Sequence, residues 1–380
     1  MLALLSGLFG FALAAVTWPG QTGAKEILTW ALIALVCPLL LFLVKVRLTP
    51  SHWWGIALLL WATISLLWTD VFDDGLGELA QFTFMGAAFL IAAEQNSGAA
   101  LYRGLGLGML VSFVVVILQL GGLDPVVVAP STASPTGLFV NSNLLGWTAA
   151  AIFVVLIAQG RWFDYALSIP ILFCLLMSDC RSAIGVAFLC FLGLAWQRSK
   201  WFGGPISALV AALLIHRYHR FQDMASVMQR TEIWRDTAKG LTPIGHGIGS
   251  FYSMFDAYST GLTAEGYWLD LSHAHNDALE MVFELGVPGI VFIGIIIALA
   301  FRYGGKPEKY GLACMGILAM VGFPLHQPVT QFLFAAMAGS GARGWHRLRD
   351  AELSRNTAIQ RRAKCSEFAA AFAGRAAVPA

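Results

Sequence analysis

The segment HAHNDALE, residues 273–280, places two histidines, an asparagine and two carboxylates directly before the apolar run 281–300. Polar groups that close to an apolar helix need a structural or a chemical role. Asp277 followed by Glu280 is typical of a capping box, in which side chains satisfy the free N–H groups at a helix start. We therefore expect a helix to begin at this point, with these two carboxylates as its cap.

His273, His275 and Asn276 then lie just outside the N-terminus of that helix. This end of a helix carries partial positive charge and free N–H groups, which favour an anion. A histidine there can act as an acid, a base or a phosphate partner. Zinc is the rival interpretation, but two histidines without a third ligand at a fitting spacing are poor support for it. We predict an anion site without a metal ion.

Arginines at three positions extend this chemistry. Arg181 lies where two apolar runs meet, and an arginine at membrane depth costs roughly 2.5–3.5 kcal/mol on insertion scales. It is either a side chain that reaches the interface or a ligand whose guanidinium binds phosphate oxygens. RTEIWRD, residues 230–236, carries Arg230 and Arg235. A helix there would be either an interfacial anchor or a source of further anion ligands.

Two other segments carry weaker signals. GHGIGSF, residues 245–251, has alternating glycines, which permit tight turns and close approach of a ligand at Gly247. Its spacing differs from the dinucleotide-binding fingerprint, and no strand precedes it. DVFDDGLGE, residues 70–78, is expected to be a solvated acidic loop, with a divalent-ion site as the alternative.

The composition is that of a membrane protein. Of the 380 residues, 58% are hydrophobic and only 12% are charged, whereas a soluble domain has about 25% charged residues. A membrane-crossing helix needs about 20 residues, and fewer when its ends carry long polar side chains. Reading apolar runs bounded by charges or glycine and proline predicts an all-α bundle of about twelve spans, near 2–18, 27–44, 52–68, 79–93, 101–121, 144–158, 165–179, 182–196, 204–216, 278–301, 310–324 and 329–342.

The basic residues predict the sidedness. With the N-terminus in the cytoplasm, most of the 24 lysines and arginines fall on the inside, so both termini are expected there. The predicted organisation is a transmembrane domain over 1–342, with a long outer loop over 217–277, and a charged cytoplasmic tail over 343–380. Arg181, Arg230 and the histidines of 273–280 all fall on the outer face. Gathered cations at that face fit a substrate with a diphosphate head and a lipid tail.

Four motifs in order resemble one known family. GLFVNSNLLG (137–146), SDCRSA (178–183), RTEIWRDTAKGLTPIGHGIGSF (230–251) and HAHNDALEMVFELGVPG (273–289) are similar to the signature blocks of the O-antigen ligase and polymerase superfamily. The resemblance covers roughly residues 130–330, and the earlier part of the chain matches only as generic spans.

The resemblance implies a membrane glycosyltransferase with a helical fold of the GT-C type in the bacterial inner membrane. Such an enzyme moves a glycan from an undecaprenyl-diphosphate carrier to an acceptor on the periplasmic face. It is implied to invert the anomeric centre and to need neither metal nor cofactor. Its partners would be the lipid-linked glycan, a lipid or glycan acceptor and membrane lipids, with no nucleic acid.

The resemblance also assigns roles by motif position. Arg181 and Arg230 would bind the diphosphate, and His275 matches the histidine usually given a catalytic role. Asn141 and Asn143 would shape the pocket. The remaining expected substrate-binding residues are Arg235, His273, Asn276 and Gly247.

Three functions remain open at this point. A ligase acting on lipid A–core is the leading hypothesis, and a repeat-unit polymerase of the same superfamily is the first alternative. A transporter or flippase of the lipid-linked glycan is the alternative of another class. Transporters usually place polar groups near the midplane on broken helices in repeated halves, whereas this sequence shows no repeat and places its cations at one face.

Overall fold

The computed structural model describes residues 1–16, 24–44, 48–94, 97–125, 134–199, 204–205, 225–260 and 272–376. Within these ranges every regular element is helical, which confirms the all-α prediction. The helices are α1 (Leu2–Ala15), α2 (Ala24–Leu41), α3 (Pro50–Ser65), α4 (Phe72–Ala93), α5 (Ser97–Leu120), α6 (Ser142–Gln159), α7 (Trp162–Met177), α8 (Arg181–Arg198), α9 (Ala225–Lys239), α10 (Phe251–Met254), α11 (Asp277–Tyr303), α12 (Lys306–Ala319) and α13 (Pro328–Ala376).

The predicted apolar spans overlap helices wherever they fall on described residues. Four helices, α4, α5, α6 and α11, are long and apolar enough to cross a membrane, and α1, α2 and α7 are shorter apolar helices. The predicted span 204–216 lies almost wholly outside the described residues. Large apolar side chains also face outward on several helices, as lipid contact requires, for example Leu4, Leu60, Val114, Ile169 and Leu189.

The acidic segment 70–78 and the C-terminal tail are both largely helical. Residues 70–78 are not a loop, because α4 begins at Phe72 and carries the exposed Asp73 and Asp74 in its first turn. Carboxylates stabilise the positive end of a helix, which explains why this acidic stretch is helical. The predicted tail is also helical, since α13 continues past residue 342 without a break.

Helix α6 forms the centre of the bundle. All of its residues from Leu144 to Leu156 are buried, and α5, α7, α8 and α12 pack around it. A helix that is apolar on every face is stable only when other helices surround it. The first turn of α6 is therefore rigid, and the turn at Cys180 packs against it at Gly146.

Helix α11 is broken in the middle. Gly286 has φ 66° and ψ −163°, a backbone conformation open essentially only to glycine. Pro288 lacks the N–H that would otherwise reach the carbonyl of Glu284, four residues earlier. The carbonyls just before the break consequently need partners from elsewhere.

The segment 242–250 supplies those partners. The N–H of His246 donates to the carbonyl of Phe283, and the N–H of Gly247 donates to the carbonyl of Glu284, each at 2.9 Å. Unpaired backbone groups at membrane depth cost several kcal/mol, so these bonds tie the segment firmly to α11. Gly247, which the sequence analysis assigns to substrate binding, therefore also has a structural role.

We expect Gly286→Ala to destabilise the protein by about 1–3 kcal/mol, because a Cβ strains this backbone conformation and would overlap Pro243 and Ile244. Gly294→Ala on the same helix is the matched control, since its Cβ would meet open space. Thermal unfolding in detergent micelles measures both. Equal midpoints for the two variants would contradict the structural role of the break.

Candidate functional site

The segment 273–276 enters α11 through an asparagine cap. Asn276 is the N-cap residue, and its side-chain oxygen accepts a hydrogen bond from the N–H of Leu279 at 3.0 Å. The predicted capping box is wrong, because Asp277 is already the first helical residue and its carboxylate binds elsewhere. Asn276 is only 8% exposed, and its side-chain oxygen is used by the cap, so its role in this structure is to start the helix.

His275, directly before this cap, combines strain with an unused polar atom. Its φ is 53°, a left-handed conformation that residues other than glycine adopt rarely and at a cost. Its Nδ1 is buried and has no hydrogen-bond partner among the described residues. The backbone is held by Trp234, whose Nε1 donates to the His275 carbonyl at 3.3 Å. Strain and an unpaired buried nitrogen together favour a functional role.

Arg230 approaches His275 from α9. Its Nη1 donates to the carbonyl of Val321 at 2.8 Å, which fixes the guanidinium at the loop after α12. Burial, followed by the positive charge of Arg230, lowers the pKa of His275 to about 4. The imidazole is therefore neutral at physiological pH and able to accept a proton.

The turn that carries Arg181 lies beside the same arginine. Arg181 is exposed at the first position of α8 and follows Asp179, whose φ of 52° is also left-handed. Cys180 packs so closely on Gly146 of α6 that a Cβ there would not fit. The charge of Arg230 acts on Cys180, so this turn and Arg230 are neighbours. Three of the four sequence motifs thus meet around Arg230.

The asparagines of the first motif have different surroundings. Asn141 is the N-cap of α6, and its side chain accepts from the N–H of Leu144 at 3.0 Å. Asn143 is exposed in the first turn of the same helix. Asn141 therefore has a clear structural role, and the contribution of both asparagines to a pocket stays a prediction.

Arg235 and Gly247 are not brought into contact with His275. Arg235 is exposed on α9, and its Nε lies 3.5 Å from the carboxylate of Asp236, the next residue. Gly247 approaches Thr69 and Ser65 closely, so its open backbone serves contact with α3 and the turn that follows it. Their expected role in substrate binding likewise stays a prediction.

A second polar cluster lies next to the first. His273 shares a hydrogen bond with Glu280, with Nδ1 2.9 Å from Oε1, and the same oxygen lies 3.2 Å from Nε2 of His326. The other nitrogen of His326, Nδ1, lies 2.9 Å from Oδ1 of Asp277. Backbone N–H groups hold the second oxygen of both carboxylates. These bonds lock the turn that carries His326 onto the first turn of α11.

His326 is the residue that sequence reasoning missed. Burial alone lowers its pKa, but the carboxylates of Glu280 and Asp277 outweigh burial and raise the pKa well above the usual value. It therefore stays protonated and donates from both nitrogens. Its segment, HQP, carries no pattern that links it to 273–280, so only the fold could reveal the contact.

Three of these side chains are close enough together to hold a metal ion. The ligand atoms of His273, Glu280 and His326 lie within 4.8 Å of one another. These atoms already form hydrogen bonds with one another, from His273 to Glu280 and from Glu280 to His326. The three side chains are therefore stable as an ion-pair network. The sequence-based expectation of no metal stays a prediction, which chelation can test.

A cavity of about 530 Å³ extends from this cluster between α2, α3, α4, α11 and α13. Its walls are mostly apolar, with side chains such as Phe82, Phe84, Met85, Met281 and Phe334. One end is polar and is lined by Glu78, Asp277, Glu280, Glu284, His326 and Gln331. Arg181, Arg230 and His275 are not part of this lining.

Apolar helices, outward apolar side chains and a polar site at one end of the bundle define a multi-pass membrane protein. Residues 166–294 match the family model described as O-antigen ligase, a segment that runs from α7 into α11 and includes Arg181, Arg230 and His275. The match confirms the predicted resemblance to the O-antigen ligase and polymerase superfamily. No curated protein matches the chain.

The pKa values of His275 and His326 should be displaced in opposite directions from that of a free imidazole. We expect His275 to stay neutral down to about pH 4 and His326 to stay protonated well above its ordinary pKa of about 6.5. Nitrogen-15 NMR of histidine-labelled protein in nanodiscs, assigned with His275→Asn and His326→Asn, measures both. Parallel titration of the two near pH 6.5 would contradict the described surroundings.

Proposed function

We propose that the protein is an O-antigen ligase-like glycosyltransferase that transfers a glycan from undecaprenyl diphosphate to lipid A–core. The observation that supports this most is the pairing of a strained, neutral His275, whose buried Nδ1 is unpartnered within the described structure, with the anchored Arg230. A neutral base beside a fixed cation is what a displacement with an anionic leaving group requires. The family match supports the same class of reaction.

The proposed topology has about twelve spans in a GT-C-like bundle in the bacterial inner membrane. The active site faces the periplasm, and the segment 217–277 is a periplasmic loop that includes α9 and α10. Residues 217–224 and 261–271 of that loop lie outside the described residues. The domain spans 1–342, and the tail over 343–380 lies in the cytoplasm with the N-terminus.

The leaving group takes the negative charge of the reaction. As the bond between the anomeric carbon and the diphosphate oxygen breaks, charge grows on that oxygen. Arg230 and Arg181 stabilise it, because preorganised donors in a partly dry site need no rearrangement during the reaction. Undecaprenyl diphosphate then departs with the bonding electrons, and this step needs no metal ion.

The acceptor supplies the nucleophile from the opposite face of the sugar. Its hydroxyl oxygen bonds to the anomeric carbon, and His275 accepts the hydroxyl proton on Nδ1. Attack opposite to the leaving group inverts the anomeric centre. Asn141, Asn143, Arg235, His273, Asn276 and Gly247 complete the proposed substrate contacts.

The repeat-unit polymerase shares this donor chemistry and differs only in the acceptor. Supplying lipid A–core and lipid-linked repeat units separately to the purified protein distinguishes the two functions. Extension of lipid A–core supports the ligase, and extension of the repeat units alone would reassign the protein as a polymerase. Movement of the lipid-linked glycan without any transfer would identify a flippase.

We expect Arg181→Ala, Arg230→Ala and His275→Ala each to lower glycan transfer by at least about 100-fold. Arg355→Ala, an exposed arginine of α13, is the control for expression and insertion. Transfer is measured by product gel shift after extraction of folded protein. Normal transfer by all three variants would remove the proposed site.

Chelation should leave transfer unchanged, because arginines rather than a metal ion neutralise the diphosphate. The assay is repeated after extensive dialysis against EDTA, with and without added zinc or magnesium. Loss of transfer that a divalent ion restores would contradict the mechanism. The candidate ligands would then be the acidic residues of 70–78, or His273, Glu280 and His326.

A further inference from the structure

Three side chains bring their donor atoms together at the start of α11. Nδ1 of His273 and Nε2 of His326 both approach Oε1 of Glu280, at 2.9 Å and 3.2 Å. The ligand atoms of all three lie within 4.8 Å of one another. In a tetrahedral zinc site with bonds of about 2.0–2.2 Å, neighbouring ligand atoms are about 3.3–3.6 Å apart. Small movements of the side chains would therefore make room for an ion between them.

The donor set is one that zinc prefers. Two imidazoles and one carboxylate bind zinc in several enzymes, and the fourth position is then left to water. Nitrogen donors favour transition metals, whereas magnesium and calcium prefer oxygen. The sequence pairs His273 with His275 and shows no third ligand at a fitting spacing. The fold instead groups His273 with Glu280 and the distant His326, and so supplies the complete set.

The groups behind the ligands also match a metal site. Nδ1 of His326 lies 2.9 Å from Oδ1 of Asp277, so a metal ion on Nε2 would leave the N–H at Nδ1 to donate to this carboxylate. The N–H of Leu325 holds the second oxygen of Asp277, and the N–H of Ala274 holds the second oxygen of Glu280. Histidines that bind a metal almost always donate their other N–H to a carboxylate, a carbonyl or water. A chance grouping of polar side chains would not need this support.

The cluster is sheltered but open to an ion. The side chains of His273, Glu280 and His326 are 21%, 3% and 15% exposed. Glu280 and His326 also line the cavity of about 530 Å³, which can supply the water for a fourth position. The ligands come from three segments, namely the residues before α11, its first turn and the turn before α13. An ion would therefore join these segments at one point.

We propose that His273, Glu280 and His326 form a zinc site, with water as the fourth ligand and Asp277 orienting His326. The ion takes the place of the protons that the three side chains share, and these protons pass to solvent. This inference goes beyond the proposed function, because neither step of the proposed transfer uses the ion. The ion-pair network joins the same segments in the zinc-free protein, so chelation is still expected to leave transfer unchanged.

Calorimetric titration in detergent micelles tests the proposal on protein freed of metal by dialysis. We expect the wild-type protein to bind a single zinc ion with micromolar or tighter affinity and to bind magnesium far more weakly. Glu280→Gln and His326→Gln should each weaken zinc binding at least about 100-fold, and Asp277→Asn about 10–100-fold. His346→Gln is the matched control, because His346 is a half-buried histidine of α13 outside the cluster. Thermal unfolding confirms that each variant is folded before it is titrated.

X-ray absorption on the zinc-loaded wild-type protein tests the ligands without any change to the cluster. We expect nitrogen and oxygen donors at about 2.0–2.2 Å, with the scattering pattern of two imidazoles. Sulfur in the ligand shell would place the ion at a cysteine, such as the exposed Cys365, and would overturn the proposal. This measurement decides the question should the cluster variants fail to fold.

The outcomes separate this inference from the proposed function. Absence of zinc binding would overturn the inference and leave the transfer mechanism standing. Zinc affinity that both Glu280→Gln and His326→Gln leave unchanged would overturn it as well, since the ion would then lie elsewhere. Unchanged affinity in Asp277→Asn would overturn the role given to Asp277. Loss of transfer on chelation would instead count against the proposed metal-free mechanism, whatever the affinity for zinc.

Discussion

The broken backbone of α11 is the constraint on which the site depends. Gly286 and Pro288 leave carbonyls without helical partners inside an apolar bundle, where water cannot replace them. The segment 242–250 must dock against α11 to satisfy them, and Nε1 of Trp61 must reach the carbonyl of Leu285 at 2.7 Å. Since 242–250 directly follows α9, its docking also fixes the helix that carries Arg230. The break at Gly286 in α11 thus helps to fix the position of Arg230 on α9.

Two kinds of polar surroundings meet at Phe323. His275 contacts this ring edge-on and stays neutral beside Arg230, whereas His273 stacks on the ring and shares Glu280 with the protonated His326. Breaking a buried ion-pair network costs about 3–5 kcal/mol, so His326 and its carboxylate partners are held rigidly against the start of α11. The segment 273–276 thus carries both the neutral imidazole beside Arg230 and a histidine of the ion-pair network.

The sequence predicted the helices better than the polar contacts between them. Apolar runs marked the spans, and RTEIWRD correctly indicated the helix that presents Arg230. The cap was assigned to Asp277 because aspartate and asparagine are equally good caps, and only the backbone distinguishes adjacent candidates. His326 was invisible because its partners Asp277 and Glu280 lie on another helix. Long-range contacts between single polar residues leave no periodicity or motif to read.

Strain at the site follows from the same packing. Asp179 and His275 are the residues other than glycine with positive φ in the described part of the chain, and each directly precedes or nearly precedes a helix start. Each such conformation costs of order 1–3 kcal/mol and persists only when its surroundings fix it. At His275 the fixing contacts are the Trp234 hydrogen bond, the Asn276 cap and the ring of Phe323. None of these contacts engages Nδ1, so the backbone is fully constrained while the nitrogen that would take the proton stays available.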